Sequence, residues 1–179
     1  MQKVTLDDRT FRLYLKESQI QQAIKQIAEK INNDYIGKCP LLVPILNGSF
    51  MFAADLMKQL LCDCHLSFIK VASYQGVSTD GKVASLIGLN ESIEGRHVII
   101  LEDIVDSGHT LAKVLPSFRE QRPASLKVAT LLHKPNALKV PVQVDYSGIE
   151  IPNDFIVGFG LDYNGFGRNL RDIYVVDEG

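Results

Sequence analysis

The segment that most constrains this chain runs from residue 97 to 111 and reads His-Val-Ile-Ile-Leu-Glu-Asp-Ile-Val-Asp-Ser-Gly-His-Thr-Leu. Residues 98–101 are uniformly apolar and rich in β-branched side chains, which predicts a central parallel strand covered on both faces. Glu102, Asp103 and Asp106 then stand at the strand's carboxyl edge, the edge where ligands bind in open α/β sheets. The following Ser107-Gly108-His109-Thr110 can turn backbone N–H groups and hydroxyls toward a phosphate at a helix N-terminus. The pattern predicts an anion cradle beside oxygen ligands for a cation or for sugar hydroxyls. Each residue alone has a plainer explanation: Asp106 or Ser107 as a helix cap, Glu102 and Asp103 as solvated strand-end acids. Three carboxylates at one strand end repel one another unless a cation or a hydroxyl-rich ligand satisfies them, and that crowding favours a ligand site.

The rest of the chain alternates helical and strand patterns. Ile20, Ala23, Ile24, Ile27, Ala28 and Ile31 fall at helical spacing, and Ser18 with Gln21 resembles a capping box, so a helix is expected over 18–35. Further helices are expected over 50–61 and 112–121, and strands over 41–46, 66–73, 97–101 and 126–132. This succession predicts an α/β fold with a doubly wound, mainly parallel sheet flanked by helices. Short strand-like pieces at 142–146, 155–157 and 173–176, joined by Gly-rich connections, predict a small hood over the sheet's edge. With 179 residues the chain fits a single domain, 1–179. Its core is expected over about 18–140, and its hood from the N-terminal segment and about 141–179.

A formal charge of −2 and a pI near 6.1 provide no large positive field for nucleic acid or an acidic membrane, so a small-molecule partner is expected. Three cysteines, Cys39, Cys62 and Cys64, suit a reducing cytosol better than a disulfide framework. Cys62-Asp63-Cys64-His65 lacks the paired spacing of a zinc site. No signal-like segment and no run of about 18 apolar residues is evident, so a soluble cytoplasmic protein is expected. A Walker-type loop ending in Gly-Lys-Ser/Thr is likewise missing.

Two acids, an apolar pair and Asp-Ser-Gly-His-Thr resemble the phosphoribosyl-pyrophosphate signature of the type I phosphoribosyltransferases. Further segments in order narrow the resemblance to the hypoxanthine-guanine phosphoribosyltransferases across nearly the whole chain. They are Leu46-Asn47-Gly48-Ser49-Phe50, Ser73-Tyr74, Leu131-Leu132-His133-Lys134, Ile151-Pro152 with Phe155, and Leu161-Asp162-Tyr163-Asn164 with Arg168. The resemblance implies transfer of 5-phosphoribose from phosphoribosyl pyrophosphate to hypoxanthine or guanine, giving IMP or GMP and pyrophosphate. It also implies Mg²⁺ as cofactor and a homodimer or homotetramer.

Residue roles follow from the same resemblance. Glu102 and Asp103 would hold the ribose hydroxyls, directly or through Mg²⁺ and its waters, with Asp162 as a second metal ligand. Ser107, Gly108, His109 and Thr110 would wrap the 5′-phosphate, His109 by its backbone amide. Asp106 is the proton-transfer candidate, acting on N7 of the purine. Asn47 and Gly48 match a pyrophosphate-binding turn that carries a non-proline cis peptide, although the basic residue often found at position 47 is replaced by Asn. Arg168 matches the pyrophosphate clamp, and Ser73 and Tyr74 match a closing lid within the polar stretch 73–82. Lys134 would donate to the 6-oxo group of the base, Phe155 would stack on it, and the Ile156 backbone would bond its edge. Asp154 stands where the family often has Lys and receives no role. Two other readings stay open on the residues alone: a nucleotide-sensing RNA-binding regulator on this fold, and a carboxylate-metal phosphohydrolase built on Glu102, Asp103 and Asp106.

Overall fold

The computed structural model describes residues 2–71, 86–89 and 91–177. The chain opens with a hairpin of β1 (Lys3–Leu6) and β2 (Arg9–Leu15), then α1 (Glu17–Asp34), β3 (Leu41–Leu46), α2 (Phe50–Met57), β4 (His65–Leu66) and β5 (Ile69–Val71). It continues through β6 (Leu86–Ile87), β7 (His97–Val105), α3 (His109–Glu120), β8 (Ser125–His133), β9 (Tyr146–Glu150), β10 (Ile156–Val157) and β11 (Ile173–Val176). Among the described residues these strands form two sheets. The larger runs β6-β5-β3-β7-β8-β9, with β4 also on β3, and the smaller runs β1-β2-β11-β10. In the larger sheet only the β5–β6 pair is antiparallel; every other pair is parallel.

Two apolar layers hold the main sheet. On one face α1 presents Ile20, Ala23, Ile24, Ile27, Ala28 and Ile31, all buried, and packs with Phe52, Ala53 and Leu56 of α2 against Leu42, Ile99, Leu101, Ala129 and Leu131. On the other face Leu111, Val114, Leu115 and Phe118 of α3 pack against Leu41, Val43, Ile45, Val98, Ile100 and Val128. Two-sided cover is why β3 and the first half of β7 are continuously apolar instead of alternating. From β3 the order steps outward to β4 and β5 on one side and to β7, β8 and β9 on the other, so the topological switch point lies between the carboxyl ends of β3 and β7.

The structure corrects several expected boundaries. Strand β7 does not stop at 101: its ladder with β8 continues through Glu102↔Thr130 and on to Val105↔His133, which places Glu102 and Asp103 inside the strand. The entry to α1 uses Gln19, whose side chain accepts from the Lys16 backbone N–H at 3.0 Å, rather than a Ser18/Gln21 box; Gln21 reaches Asp55 instead. Helix α2 ends at Met57 because the Asn32 amide takes over beyond it, donating to the Gln59 carbonyl and accepting from the Leu61 N–H. The strand expected at 66–73 is two short pieces, β4 and β5, and its last residues lie outside the described part of the chain.

The largest correction falls at 142–146. Val142 and Val144 alternate like a strand but pack as an extended cover on the α3 layer, and the strand is Tyr146–Glu150. Local sequence hides it because Gly148 sits in its middle, where a Cβ would lie 2.5 Å from the Leu131 carbonyl oxygen. The core sheet thus extends to residue 150, and the hood is the β1-β2-β11-β10 sheet, joining the N-terminal hairpin to the last strands. Among the described residues no helix is long and apolar enough to cross a membrane.

Ile99 is fully buried at the heart of β7. Ile99→Ala is expected to lower stability by about 2–5 kcal/mol, read as a lower urea midpoint with an unchanged slope.

Candidate active site

A cavity of about 460 Å³ opens at the switch point between the ends of β3 and β7, lined by residues 45–48, Val71, residues 102–111 and Lys113. A smaller one of about 200 Å³ adjoins it, lined by Lys134, Phe155, Ile156, Leu161, Asp162 and Arg168 and sharing Gly48, Asp103, Ile104 and Asp106 with the first. The sheet therefore brings the acids of β7 and the loop after it together with the hood's contributions from residues 155–168.

The turn after β3 is built by close approach. The Leu46–Asn47 peptide bond is cis, and the buried Ser49 hydroxyl donates back to the Ile45 carbonyl at 2.6 Å. A Cβ on Gly48 would fall 1.7 Å from Asp103 Oδ2, and a Cβ on Gly160 would fall 2.0 Å from the Gly48 carbonyl oxygen. Gly48 is thus clasped between a strand of the main sheet and the hood, and only hydrogen fits at either glycine.

Both β7 acids carry the cost of their position. Glu102 is buried, and desolvation, with the neighbouring Asp103 charge second, holds its carboxyl well above the ordinary range. Asp103 is pushed up to about 6, chiefly by burial, against the lowering effect of the Ile104 N–H that it accepts at 3.0 Å and of Arg168. A carboxylate site that dry gains from a cation or from donor hydroxyls.

Asp106 does not cap α3. The N-cap is Gly108, at φ +82° and without a side-chain cap bond, and Asp106 pairs through Oδ2 with the Lys134 ammonium at 2.9 Å. Lys134 is 5% exposed while the Asp106 side chain is 48% exposed, so a buried cation is joined to an acid that faces the opening. The loop 107–110 is held from behind. Lys139 and Val140 N–H groups both donate to the Ser107 carbonyl at 3.0 and 3.2 Å, and a Cβ on Gly108 would meet the Val140 carbonyl at 2.6 Å. That clamp leaves the first amides of α3 at the cavity wall.

On the hood side, Arg168 bridges Asp162 at 2.6 Å and donates to the Gly160 carbonyl at 2.6 Å, while Asp162 also accepts from the Gly165 N–H. Asp162 is thus already engaged. Among the described residues no group of three or more His, Cys, Asp or Glu side chains is arranged to hold a metal, so Glu102, Asp103 and Asp162 do not close into a protein-only cage. Phe155 is 45% exposed and leans edge-on to Tyr163, with Phe11 behind both. Ile156 sits in β10, paired with Val175. Ser73 and Tyr74, the expected lid residues, lie outside the described residues. Asn47 and Gly48 line the larger cavity, and Arg168 lines the smaller. Sequence reasoning missed Lys113 and Gly160. Lys113 was findable from helical spacing, one turn beyond His109 and Thr110; Gly160 carries no local signal, because its reason is a contact with residue 48.

Site and fold define an α/β enzyme domain with two adjoining cavities at the carboxyl edge of its parallel sheet. Residues 14–164 match the model of the phosphoribosyl transferase domain family. The chain is 40% identical over 177 residues to the hypoxanthine-guanine phosphoribosyltransferase of Lactococcus lactis, covering 98% of this chain and 96% of that one. It is 38% identical over 174 residues to the protein of the same name from Streptococcus pneumoniae, covering 97% of each. A crystal structure of a hypoxanthine-guanine phosphoribosyltransferase from Bacillus anthracis superposes with a TM-score of 0.84 at 36% identity, over 93% of this chain and 97% of that one. The chain belongs to the phosphoribosyltransferase family, in its hypoxanthine-guanine branch.

Because Asp103 binds its proton more tightly folded than unfolded, stability falls as pH rises from about 4 through about 6. Asp103→Asn removes that charge. The ligand-free variant is expected to be more stable than the parent by about 1–3 kcal/mol at pH 8, with the difference shrinking toward zero near pH 4, as measured by thermal melts across that range.

Proposed function

We propose that this chain transfers 5-phosphoribose from phosphoribosyl pyrophosphate to hypoxanthine, and to guanine, releasing pyrophosphate and forming IMP or GMP in purine salvage in the cytoplasm. One observation carries the reading: a cavity with a phosphate-type loop and the β7 acids opens directly into a second one walled by an exposed aromatic ring and by a buried lysine paired with a half-exposed aspartate. A sugar phosphate suits the lining of the first cavity and a flat base that of the second, with Asp103 and Asp106 shared between them.

The reaction breaks the bond from ribose C1 to pyrophosphate and makes one from C1 to N9 of the purine. Positive charge gathers on the sugar in an oxocarbenium-like transition state while negative charge gathers on the leaving group. Ser107, Gly108, His109 and Thr110 hold the 5′-phosphate through backbone N–H groups and hydroxyls. Glu102 and Asp103 face the ribose hydroxyls, and the half-exposed Asp106 accepts the proton from N7 as N9 bonds to C1. Lys134 has donors to spare after its bond to Asp106 and directs them at the 6-oxo group. Adenine offers no acceptor there, which leaves a buried donor unpaired and disfavours that base. Phe155 stacks on the base and the Ile156 backbone meets its edge, while Asn47, Gly48 and Arg168 surround the pyrophosphate, Arg168 by exchanging its Asp162 contact for phosphate oxygens. Ser73 and Tyr74 serve as lid.

Magnesium suits this donor set, since it binds through one or two carboxylates together with substrate oxygens and retained waters. Asp103, with Glu102 behind it and Asp162 on the hood side, would hold it, and bound there it supplies positive charge beside the departing pyrophosphate. The reading carries with it a homodimer or homotetramer, as the sequence resemblance implies.

Purified protein given phosphoribosyl pyrophosphate, Mg²⁺ and one base at a time is expected to form IMP and GMP but not AMP, and to stop on adding a chelator. No nucleotide from any base would overturn the reading. Asp106→Asn is expected to lower kcat by roughly 10²- to 10⁴-fold, measured with hypoxanthine at saturation. Lys134→Gln is expected to lower kcat/KM for hypoxanthine by roughly 10- to 100-fold, and the double variant to fall short of the product of the two losses because the residues act as a pair.

A further inference from the structure

We propose that Lys113 is a phosphate-binding residue of this chain, its ammonium meeting the 5′-phosphate of substrate and of nucleotide product from the outer side of the 107–110 loop. The inference rests on reading the larger cavity as the phosphoribosyl site. Its first support is the charge of that cavity. Glu102, Asp103 and Asp106 all line it, and among its described lining residues Lys113 is the one lysine or arginine. Lys134 and Arg168 line the smaller cavity instead, and each is held by an acid, Asp106 at 2.9 Å and Asp162 at 2.6 Å. The turn at 46–48 adds no cation, since Asn47 is neutral. A phosphate monoester carries roughly −1.5 to −2 charges near neutral pH. Backbone N–H groups and the hydroxyls of Ser107 and Thr110 can direct such a group but cannot balance its charge against three acids.

The second support is direction. Lys113 stands in the second turn of α3, with His109 four residues and Thr110 three residues before it. Helical side chains lean toward the N-terminus and lie over the preceding turn. The lysine stem therefore runs back along the face that carries His109 and Thr110, toward the loop. The opposite face of α3 is taken by Leu111, Val114, Leu115 and Phe118, all buried, whereas Lys113 is exposed at the cavity wall. At i±3 and i±4 its helical neighbours are His109, Thr110, Pro116 and Ser117, so no acid within the helix competes for the ammonium. A cation this near a helix N-terminus opposes the helix dipole, and a bound phosphate turns that repulsion into a shared attraction.

Lys113→Gln tests the proposal, because glutamine keeps helix propensity and length while removing the charge. Initial rates in phosphoribosyl pyrophosphate and in hypoxanthine would be measured on the full chain with Mg²⁺, together with inhibition by IMP and by pyrophosphate. The KM for phosphoribosyl pyrophosphate and the inhibition constant of IMP are expected to rise together by roughly 5- to 30-fold, as for loss of one charge-assisted contact that is partly solvated. The KM for hypoxanthine and inhibition by pyrophosphate stay near parental values. Lys113→Arg restores both affected constants to within about threefold, and melting temperatures of both variants stay near the parent's, as for exposed positions. Raising salt weakens IMP inhibition less in Lys113→Gln than in the parent. Parental values for substrate and IMP in an active Lys113→Gln protein would overturn the proposal, as would a rise confined to pyrophosphate. A parent protein that forms no nucleotide would instead overturn the function on which it rests.

Discussion

Two adjacent carboxylates held inside the β7 ladder, Glu102 buried and Asp103 partly so, are the constraint around which this structure is organised. Glu102 and Asp103 could be solvated at the end of a shorter strand, yet the pairing with β8 continues past them and desolvates both, Asp103 still reaching the cavities. Keeping acids there costs stability, a cost that a cation or donor hydroxyls beside them would offset. The two-sided apolar cover of the sheet supplies the burial that makes this tolerable. The cost falls at the topological switch point, where the sheet leaves a crevice between β3 and β7.

Around that pair the molecule is drawn together by close backbone contacts rather than by long side chains. Gly48 lies against Asp103 on one side and Gly160 on the other, so the turn after β3, the acid strand and the hood meet with no room for a single methyl group. The hood is fastened from its far side as well. Tyr163 donates to Asp8 at 2.6 Å, and Asn164 donates to Asp7 at 2.8 Å, which ties the N-terminal hairpin turn to the loop between Asp162 and Arg168. Phe11 of the same hairpin backs Phe155 and Tyr163. The wall of the smaller cavity thus depends on residues more than a hundred positions away in the chain.

Much of this was legible beforehand, wherever local pattern and tertiary role coincide. The α1 face, β3, β11 and the acid-then-Ser-Gly-His-Thr segment follow from spacing, because a buried helix stripe or a doubly covered strand has the same periodicity in sequence as in space. Legibility failed where a long-range contact outweighed a local signal. Val142 and Val144 carry a strand pattern but serve as cover, while β9 forms through a glycine that the Leu131 carbonyl requires. Asp106 has the composition of a helix cap, yet its partner is Lys134, twenty-eight residues on.

By itself the sequence determined the α/β class and the run of acids followed by Ser-Gly-His-Thr toward the carboxyl end of a central strand, because each rests on neighbours within a few residues. Tertiary structure alone decided that Asp106 and Lys134 form one buried-to-open pair, that Asp162 is already claimed by Arg168, and that Lys113 lines the larger cavity beside the 107–110 loop. Those outcomes depend on which distant side chains share a desolvated space. Electrostatic interaction is strong only there, and no short window of sequence contains it.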